Sequence, residues 1–404
     1  MKLFWVDEYR NQTKSYSDLI KDLNSLNLGN SSIFNYNPYH IYLQIIHSIL
    51  CNYKVTIVDK IPEEQSNSFF TTPLDLIDET DLYKRLNEQI DNSWRITILT
   101  SGTTSKPKAV EHSLESLTRA VKKRASHADD IWALAYHPTH FAALQVFFQA
   151  FWNKNTIVNM FDIDKKHFAL KMKQFGVTHI SATPTFYRNT LFFIDEPLMI
   201  VKRVVFGGEV FDKNLVHKIK GYFPNAKIKN IYATTEAGSL FSSCNGEFII
   251  PIDLYKYISF SKENELLIHK ALLGEFHQEK SNFIDEWFPT GDIVEKVNEV
   301  SFRFIGRKTE MINVGGYKVN PMEVEDEIRK ISGVVDVIVT SKENKLIGNV
   351  LIAEVIAQED QHEEIISFQI KNLSTISKWK VPRVVRFVET LNTSRTGKLI
   401  RRHQ

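Results

Sequence analysis

Cysteine is scarce: Cys51 and Cys244 are the only two in 404 residues, and neither has a Cys-x-x-Cys partner. That argues against a disulfide framework and a cysteine-rich zinc site. An excess of one charge is also lacking. Lys and Arg total 50 against 48 Asp and Glu, for a net charge of +2. Proteins that live by neutralising phosphates carry a larger basic excess, so nucleic acid is not an expected partner. No apolar run spans a bilayer, which takes ~20 residues; the most apolar helix-like stretch, residues 141–152, is too short. Asp7 and Glu8 lie where a secretory signal would be apolar, so a soluble, cytoplasmic protein is expected. Repeats and low-complexity tracts are missing as well. What is there is 43% hydrophobic and 24% charged with 27 Phe, enough for a sizeable core in two or three domains or subdomains.

The first 90 or so residues read as irregular. Beyond them, short β-rich runs alternate with helix-like stretches. Strands are expected over 95–99, 131–136, 156–159, 177–181, 201–206 and 227–232. Helices are expected over 113–125, 141–152, 165–175 and 214–222, the third stopped by Gly176. Such alternation predicts a largely parallel sheet covered by helices. From Gly246 the pattern changes to short runs at 265–269 and 300–305, a β-rich annex. A last unit has a helix over 321–331, opened by Pro321, strands over 334–340 and 349–356, a helix over 362–373 and a strand over 384–388. The expected fold is α/β. A large N-terminal domain (1–305) of mostly parallel, helix-covered sheets plus the annex leads through a polar, glycine-rich hinge segment (306–316) to a small mobile C-terminal α+β domain (317–404).

Four of these strands run into small, hydroxylated or charged residues. After 95–99 come Ser101, Gly102, Thr103, Thr104, Ser105, Lys106 and Lys108. After 177–181 come Thr183 and Phe186, after 201–206 Gly207, Gly208 and Glu209, and after 227–232 Ala233, Thr235 and Glu236. Ligands of open α/β sheets bind outside the strand carboxyl ends, so four such segments predict one composite site. Backbone amides freed by Gly102, with hydroxyls and lysines beside them, suit a polyphosphate. The second glycine before a Lys-Ser/Thr pair is absent, which argues against a Walker A loop and a P-loop kinase.

Five segments in order resemble the signatures of the adenylate-forming (AMP-binding) superfamily, which includes acyl- and aryl-CoA synthetases, peptide-synthetase adenylation domains and luciferases. They are residues 99–110; residues 231–236 with Tyr232, Thr235 and Glu236; Thr290, Gly291 and Asp292; residues 306–325 with Arg307, Thr309, Gly315 and Gly316; and residues 394–398, ending in Lys398. The resemblance runs from about residue 97 to 399.

It implies an acid–thiol ligase. ATP with Mg²⁺ activates a carboxylic acid to an acyl-adenylate, pyrophosphate leaves, and the acyl group passes to the phosphopantetheine thiol of CoA or of an acyl or peptidyl carrier protein. ATP and a carboxylate repel each other, so the chemistry needs neutralisation and alignment. By resemblance, Ser101, Gly102, Thr103, Thr104 and Lys108 hold the β- and γ-phosphates. Gly207, Gly208, Glu209 and Ala233 border the nucleotide and acid pockets, and Tyr232 lies against adenine. Thr235 contacts the α-phosphate and Glu236 ligates Mg²⁺, a hard ion that takes oxygen ligands. Asp292 accepts from the ribose hydroxyls, Arg307 stays near ribose and phosphate, and Lys398 bridges the substrate carboxylate and the α-phosphate. The small domain then swings about Thr309 so that Gly315 and Gly316 line a thiol channel.

His140, Phe141, Thr183 and Phe186 are expected at the acid pocket. No aspartate in residues 137–141 meets an α-ammonium group, so the resemblance implies a plain aryl or aliphatic acid rather than an α-amino acid. The amino-terminal part is shorter than usual for the superfamily. It can help to bind the CoA nucleotide, which keeps a carrier protein open as the acceptor. Taken singly, each residue has a plainer reading: Asp292 as a turn residue, Lys398 as part of a basic tail with Arg401, Glu236 as the cap of a helix opening near Ala237, and Glu323 and Glu325 as an acidic first helical turn. Ser105, Ala109 and Ala233 replace usual glycines, and Thr309 and Asn313 depart from the usual hinge residues. These departures motivate an alternative, a nucleotide-binding pseudoenzyme with a regulatory role. A further alternative is an adenylate former with a non-thiol acceptor. The identity of the acid and the oligomeric state do not follow from the sequence.

Overall fold

The computed structural model describes residues 2–34, 36–58, 68–90, 93–100, 108–276, 283–344, 348–358, 361–393 and 399–401. The largest sheet has eight strands. Their spatial order is Gly238–Ser243, Lys227–Thr234, Arg203–Gly207, His179–Ala182, Ile131–Leu134, Thr156–Asn159, Leu3–Asp7 and Gln12–Ser15. The six inner strands run parallel and only the two edge strands are antiparallel. Helices Phe141–Trp152, Pro184–Leu191 and Lys213–Tyr222 link successive strands, as crossover connections in a parallel sheet require.

The segment read as irregular supplies structure of its own. Leu3–Asp7 pairs in parallel with Thr156–Asn159, Ser15 forms a capping box with Asp18 at helix Tyr16–Ser25, and Asn37 caps helix Pro38–Leu50. Helix Pro38–Leu50 has ten buried residues around most of its circumference, so no amphipathic period marks it in the sequence. Helix Phe141–Trp152 is equally apolar. Its rings join one core with Phe4 and Trp5 of the large sheet and with Ile96 and Ile98 of a second sheet.

That second sheet has five strands, in the order Glu275–Phe276, Lys108–Ser113, Arg95–Thr100, Val55–Ile57 and Ser32–Ile33. Here one expectation is corrected. The threonine-rich loop does not leave the same sheet as the other three candidate loops. It joins Arg95–Thr100 to its antiparallel neighbour Lys108–Ser113. Two more differences follow from local chemistry. The helix expected over 113–125 ends at Thr118. An unexpected helix, Pro184–Leu191, begins where Thr183 accepts from the Phe186 amide at 3.1 Å and Pro184 fills the first position.

The expected β-rich annex is a five-stranded antiparallel sheet in the order Glu247–Ile249, Ser301–Arg307, Trp287–Lys296, Glu265–His269 and Ile258–Phe260. The smaller C-terminal domain packs helices Pro321–Ile328 and Glu363–Lys371 on the sheet Val334–Asn344, Gly348–Ala357 and Val384–Phe387. Val319, Val324, Val337, Val339 and Ile366 are in its separate core. Among the described residues no helix is long and apolar enough to cross a membrane.

Candidate active site

Tyr232 lies near the carboxyl end of Lys227–Thr234, next to the edge strand Gly238–Ser243. Its hydroxyl donates to Asp292 Oδ2 at 2.5 Å, and Arg307 Nε pairs with Asp292 Oδ1 at 2.9 Å. Burial, and then the Asp292 charge, pushes the Tyr232 hydroxyl far above its ordinary value, so it stays protonated and donates. Asp292 is not a turn residue. It lies 1% exposed within Trp287–Lys296, opposite Arg307 on the adjacent strand. Gly291, at φ +76°, turns the backbone just before it. The turn is held by Glu265 Oε1 on the Gly291 amide (2.9 Å) and by Thr290 Oγ1 on the Asp292 amide (3.1 Å).

Thr235 and Glu236 occupy a tight turn between Lys227–Thr234 and Gly238–Ser243. A helix opening near Ala237 is therefore excluded, because Gly238 starts a strand at φ +74°. Three successive carbonyls of the turn are clasped from outside. Thr235 O accepts from His112 Nε2 at 2.6 Å, Glu236 O from the Gly274 amide at 2.8 Å, and Ala237 O from Arg119 Nη2 at 2.6 Å. These partners come from the second sheet and its flanks, so the clasp locks the two sheets together at the site. His112 must carry its proton on Nε2, since a carbonyl only accepts. Burial lowers its pKa to about 4, which keeps the ring neutral. The Glu236 carboxylate makes no hydrogen bond or ion pair with any described residue, while Arg307 is near enough for Glu236 to help to hold the guanidinium charged. A carboxylate not engaged by any described residue, beside the Tyr232–Asp292–Arg307 cluster, is of the type that suits Mg²⁺, which takes one or two carboxylates plus substrate phosphates.

Gly207 is packed so that a Cβ would meet the Tyr136 hydroxyl at 3.1 Å, and Gly208 has φ +83°. Glu209 turns inward from them. Its Oε2 accepts from the Thr185 amide (3.0 Å) and hydroxyl (2.9 Å), while its Oε1 is buried without a partner among the described residues. Burial raises its pKa, opposed by Arg188 and Thr185. Thr183 is spent as the helix cap, Phe186 packs edge-on to Phe168 at 5.5 Å, and His140 precedes the buried Phe141, 5.1 Å from the His137 ring. Ala233 is half-buried and its φ is not positive, so the lost glycine strains nothing there.

Thr309 is exposed in the single 3-10 turn Lys308–Glu310, between Arg307, bonded to Asp292, and Glu310, bonded to Arg401 at 2.7 Å. Gly315 and Gly316 form the two-residue turn of the hairpin Ile312–Val314 and Tyr317–Val319. Both have positive φ (+57° and +89°), and open space surrounds each would-be Cβ. Asn313 fits that turn by accepting from the Gly316 amide at 3.0 Å.

Ser101, Gly102, Thr103, Thr104, Ser105, Lys106 and Lys398 lie outside the described residues, and Lys108 is described only as the backbone that opens Lys108–Ser113. The flanks of 394–398 are placed: Thr393 bridges Leu399. Beyond them, Arg401 is not part of a solvated tail. It is bonded to Glu325 at 2.8 Å and to Glu310. Glu325 is likewise no mere first-turn acid, being 1% exposed and also accepting from the Val339 amide at 2.8 Å. Sequence reasoning missed His112, Arg119, Arg188 and Asp336. Arg188 bonds Thr185 Oγ1 (2.9 Å) and Asp212 (3.4 Å), and reaches into the C-terminal domain to Asp336 at 3.1 Å. Asp336 is shared from its other side by Arg329 at 3.0 Å. Nothing in the local pattern around these four residues signals a partner so distant in the chain.

The chain matches the AMP-binding enzyme family over residues 50–258 and the AMP-binding enzyme C-terminal domain over residues 323–398. It is 23% identical over 324 residues to 2-succinylbenzoate–CoA ligase of Listeria monocytogenes, covering 75% of this chain and 68% of the relative. It is 22% identical over 341 residues to bacitracin synthase 3 of Bacillus licheniformis, covering 76% of this chain and 5% of that protein. Its fold is similar to that of o-succinylbenzoate CoA synthetase from Bacillus subtilis in complex with an acyl-adenylate intermediate, with TM-score 0.70, 16% identity, and 99% and 94% of the two chains covered. The first match alone spans more than half of the residues, and the second falls on the smaller domain: the chain belongs to the AMP-binding enzyme family.

Proposed function

We propose that this protein is an acid–thiol ligase that uses ATP and Mg²⁺ to activate a small aryl or aliphatic carboxylic acid and passes the acyl group to the thiol of CoA or of a carrier protein. The observation that carries the reading is the convergence of Tyr232, Asp292 and Arg307 beside the clasped turn of Thr235 and Glu236. Asp292 keeps two carboxylate oxygens in a rigid position, a match for a vicinal diol such as ribose. Tyr232 fixes that carboxylate and presents a ring at the nucleotide. Thr235 orients the α-phosphate. Glu236 would hold Mg²⁺, whose charge offsets the repulsion between the triphosphate and the incoming carboxylate. Ser101, Gly102, Thr103, Thr104 and Lys108 are assigned to the outgoing pyrophosphate, and Lys398 to the substrate carboxylate and α-phosphate. His140, Phe141, Thr183 and Phe186 are assigned to the acid side, with Gly207, Gly208, Glu209 and Ala233 behind it.

The attack is an in-line displacement. A carboxylate oxygen bonds the α-phosphorus, the bond to the bridging oxygen breaks, and pyrophosphate departs with that electron pair. The thiolate then adds to the acyl carbon and AMP leaves. For the second step we assign Thr309, in its exposed single turn, to the hinge between domains spanning residues 1–305 and 317–404. The open Gly315–Gly316 turn is assigned to the thiol channel. The named ligase relative favours CoA, and the peptide-synthetase relative keeps the carrier protein as the competing acceptor. The unstrained Ala233 and the well-seated Asn313 favour a working enzyme over a pseudoenzyme, and the site of action is assigned to the cytoplasm.

The test is a panel of carboxylic acids with ATP, Mg²⁺ and hydroxylamine, which traps any acyl-adenylate as a hydroxamate. Acid-dependent hydroxamate with matching AMP and pyrophosphate is expected. ADP as product, or nucleotide binding without AMP from any acid, would overturn the proposal. Adding CoA, a holo carrier protein or an amine to the best acid then identifies the acceptor.

A further inference from the structure

At the amino-terminal ends of two central strands of the eight-stranded sheet, away from the strand carboxyl ends that carry the candidate active site, two histidines and an aspartate meet. His127 ends the 3-10 turn Ala125–His127, Asp130 precedes Ile131–Leu134, and His179 opens His179–Ala182. Asp130 and His179 are each 3% exposed. Asp130 Oδ2 lies 2.8 Å from His127 Nδ1 and 3.3 Å from His179 Nε2. One donor atom of each residue lies within 4.8 Å of the other two, and among the described residues no other three His, Cys, Asp or Glu side chains do this.

We propose that His127, Asp130 and His179 bind one divalent transition-metal ion of the zinc class, at a site remote from the nucleotide. Charge is the first argument. A buried carboxylate needs a counter-charge, and apart from the two imidazoles the cation nearest Asp130 among the described residues is Lys202, at 3.7 Å with a side chain 58% exposed.

Orientation is the second argument. Thr178 Oγ1 lies 2.9 Å from His179 Nδ1 and is itself fixed by the Ile131 amide at 2.9 Å. Accepting the Nδ1 proton, it leaves the Nε2 lone pair aimed at the cluster. Metal-bound histidines are held by just such an outer hydrogen bond. The donor set is two nitrogens and one carboxylate oxygen, which favours zinc, cobalt or nickel over magnesium. Bonds of about 2.1 Å in a tetrahedral site place donor atoms about 3.4 Å apart. The His179–Asp130 separation already has that value within a tenth of an ångström or so. His127, with 18% of its side chain exposed, is the ligand free to adjust, and water completes the set. The ion would staple the 125–130 turn to the start of two neighbouring strands. Its role is structural.

The experiment uses untagged full-length protein stripped with chelator and then titrated with Zn²⁺ by calorimetry and with Co²⁺ by visible absorption, both in excess Mg²⁺. One equivalent is expected to bind, with cobalt bands of a mixed nitrogen–oxygen site and a raised melting temperature. His127→Gln, on the open side, should weaken zinc by more than about tenfold and erase the cobalt bands, with hydroxamate formation unchanged. His179→Gln should do the same. No saturable binding, or binding equal in His127→Gln and wild type, would overturn the proposal and leave the cluster as a proton-sharing network.

Discussion

The Nε2–H of His112 donates to the carbonyl oxygen of Thr235 at 2.6 Å, so a residue of the second sheet fixes the turn that carries Glu236 on the first. The contact joins positions 123 residues apart in the chain. It makes the placement of Glu236 depend on the packing of two sheets.

His112 predicts a pH signature. The ordinary imidazole value is 6.5 and burial lowers it to about 4 in the folded protein. Between those values the unfolded chain takes up a proton that the folded chain refuses. Stability is therefore complete above pH 6.5 and falls as the pH drops toward 4. The full effect is about 3 kcal/mol. Urea unfolding at pH 7 and pH 5 should show the loss, and His112→Gln should reduce its slope without abolishing it.

Asp292→Asn and Tyr232→Phe test the proposed assignment of these two residues to the nucleotide. Losing a buried charge-assisted hydrogen bond costs about 1.5–3 kcal/mol. Asp292→Asn should raise the KM for ATP by about tenfold or more, and Tyr232→Phe should have a smaller effect. Pyrophosphate exchange at varied ATP reads both. Equal KM in all three proteins would remove Asp292 from the nucleotide site.

Lys398→Ala should lower acid-dependent pyrophosphate exchange by about a hundredfold or more, the usual effect of removing one charge that stabilises a transition state. ATP affinity by calorimetry should change far less. Exchange at the wild-type rate would reassign the lysine.

Gly316→Ala should act on the second step alone. At φ +89° an alanine costs about 1–2 kcal/mol of local strain. Its methyl would also stand in the open space beside the turn. Hydroxamate formation should persist while thioester formation slows, which rapid-quench assays separate.

Arg188 and Asp336 should be energetically coupled. A double-mutant cycle of Arg188→Ala and Asp336→Asn should give a coupling of about 1–3 kcal/mol in thermal unfolding. Additive effects would show that the contact carries no energy.

Much of the fold was legible where a short-range pattern mirrors the structure. Five of the six parallel strands of the large sheet read as β-rich runs, Leu3–Asp7 being the exception, Gly176 at φ +62° ends a helix as expected, and the annex and small domain follow the change of rhythm after Gly246. Helix Pro38–Leu50 was not legible, because a helix buried all round shows no amphipathic stripe. The candidate site divides the same way. Tyr232, Glu236, Asp292 and Arg307 were found through ordered motifs. His112, Arg119 and Arg188 were not, since each acts through a bond to a residue over a hundred positions away and leaves no local spacing to read. Glu325 was read as a first-turn acid and Arg401 as part of a basic tail, because sequence neighbours do not reveal that a charged pair is buried together.

Asp336 has one arginine from each domain, and under the proposed hinge motion this would set how the two halves part. Arg329 travels with Asp336, while Arg188 stays with Asp212 and Glu209. Separation therefore strands no bare ion on either face. Each side would keep its ions paired, so under the proposed hinge motion the contact would act as a reversible clutch.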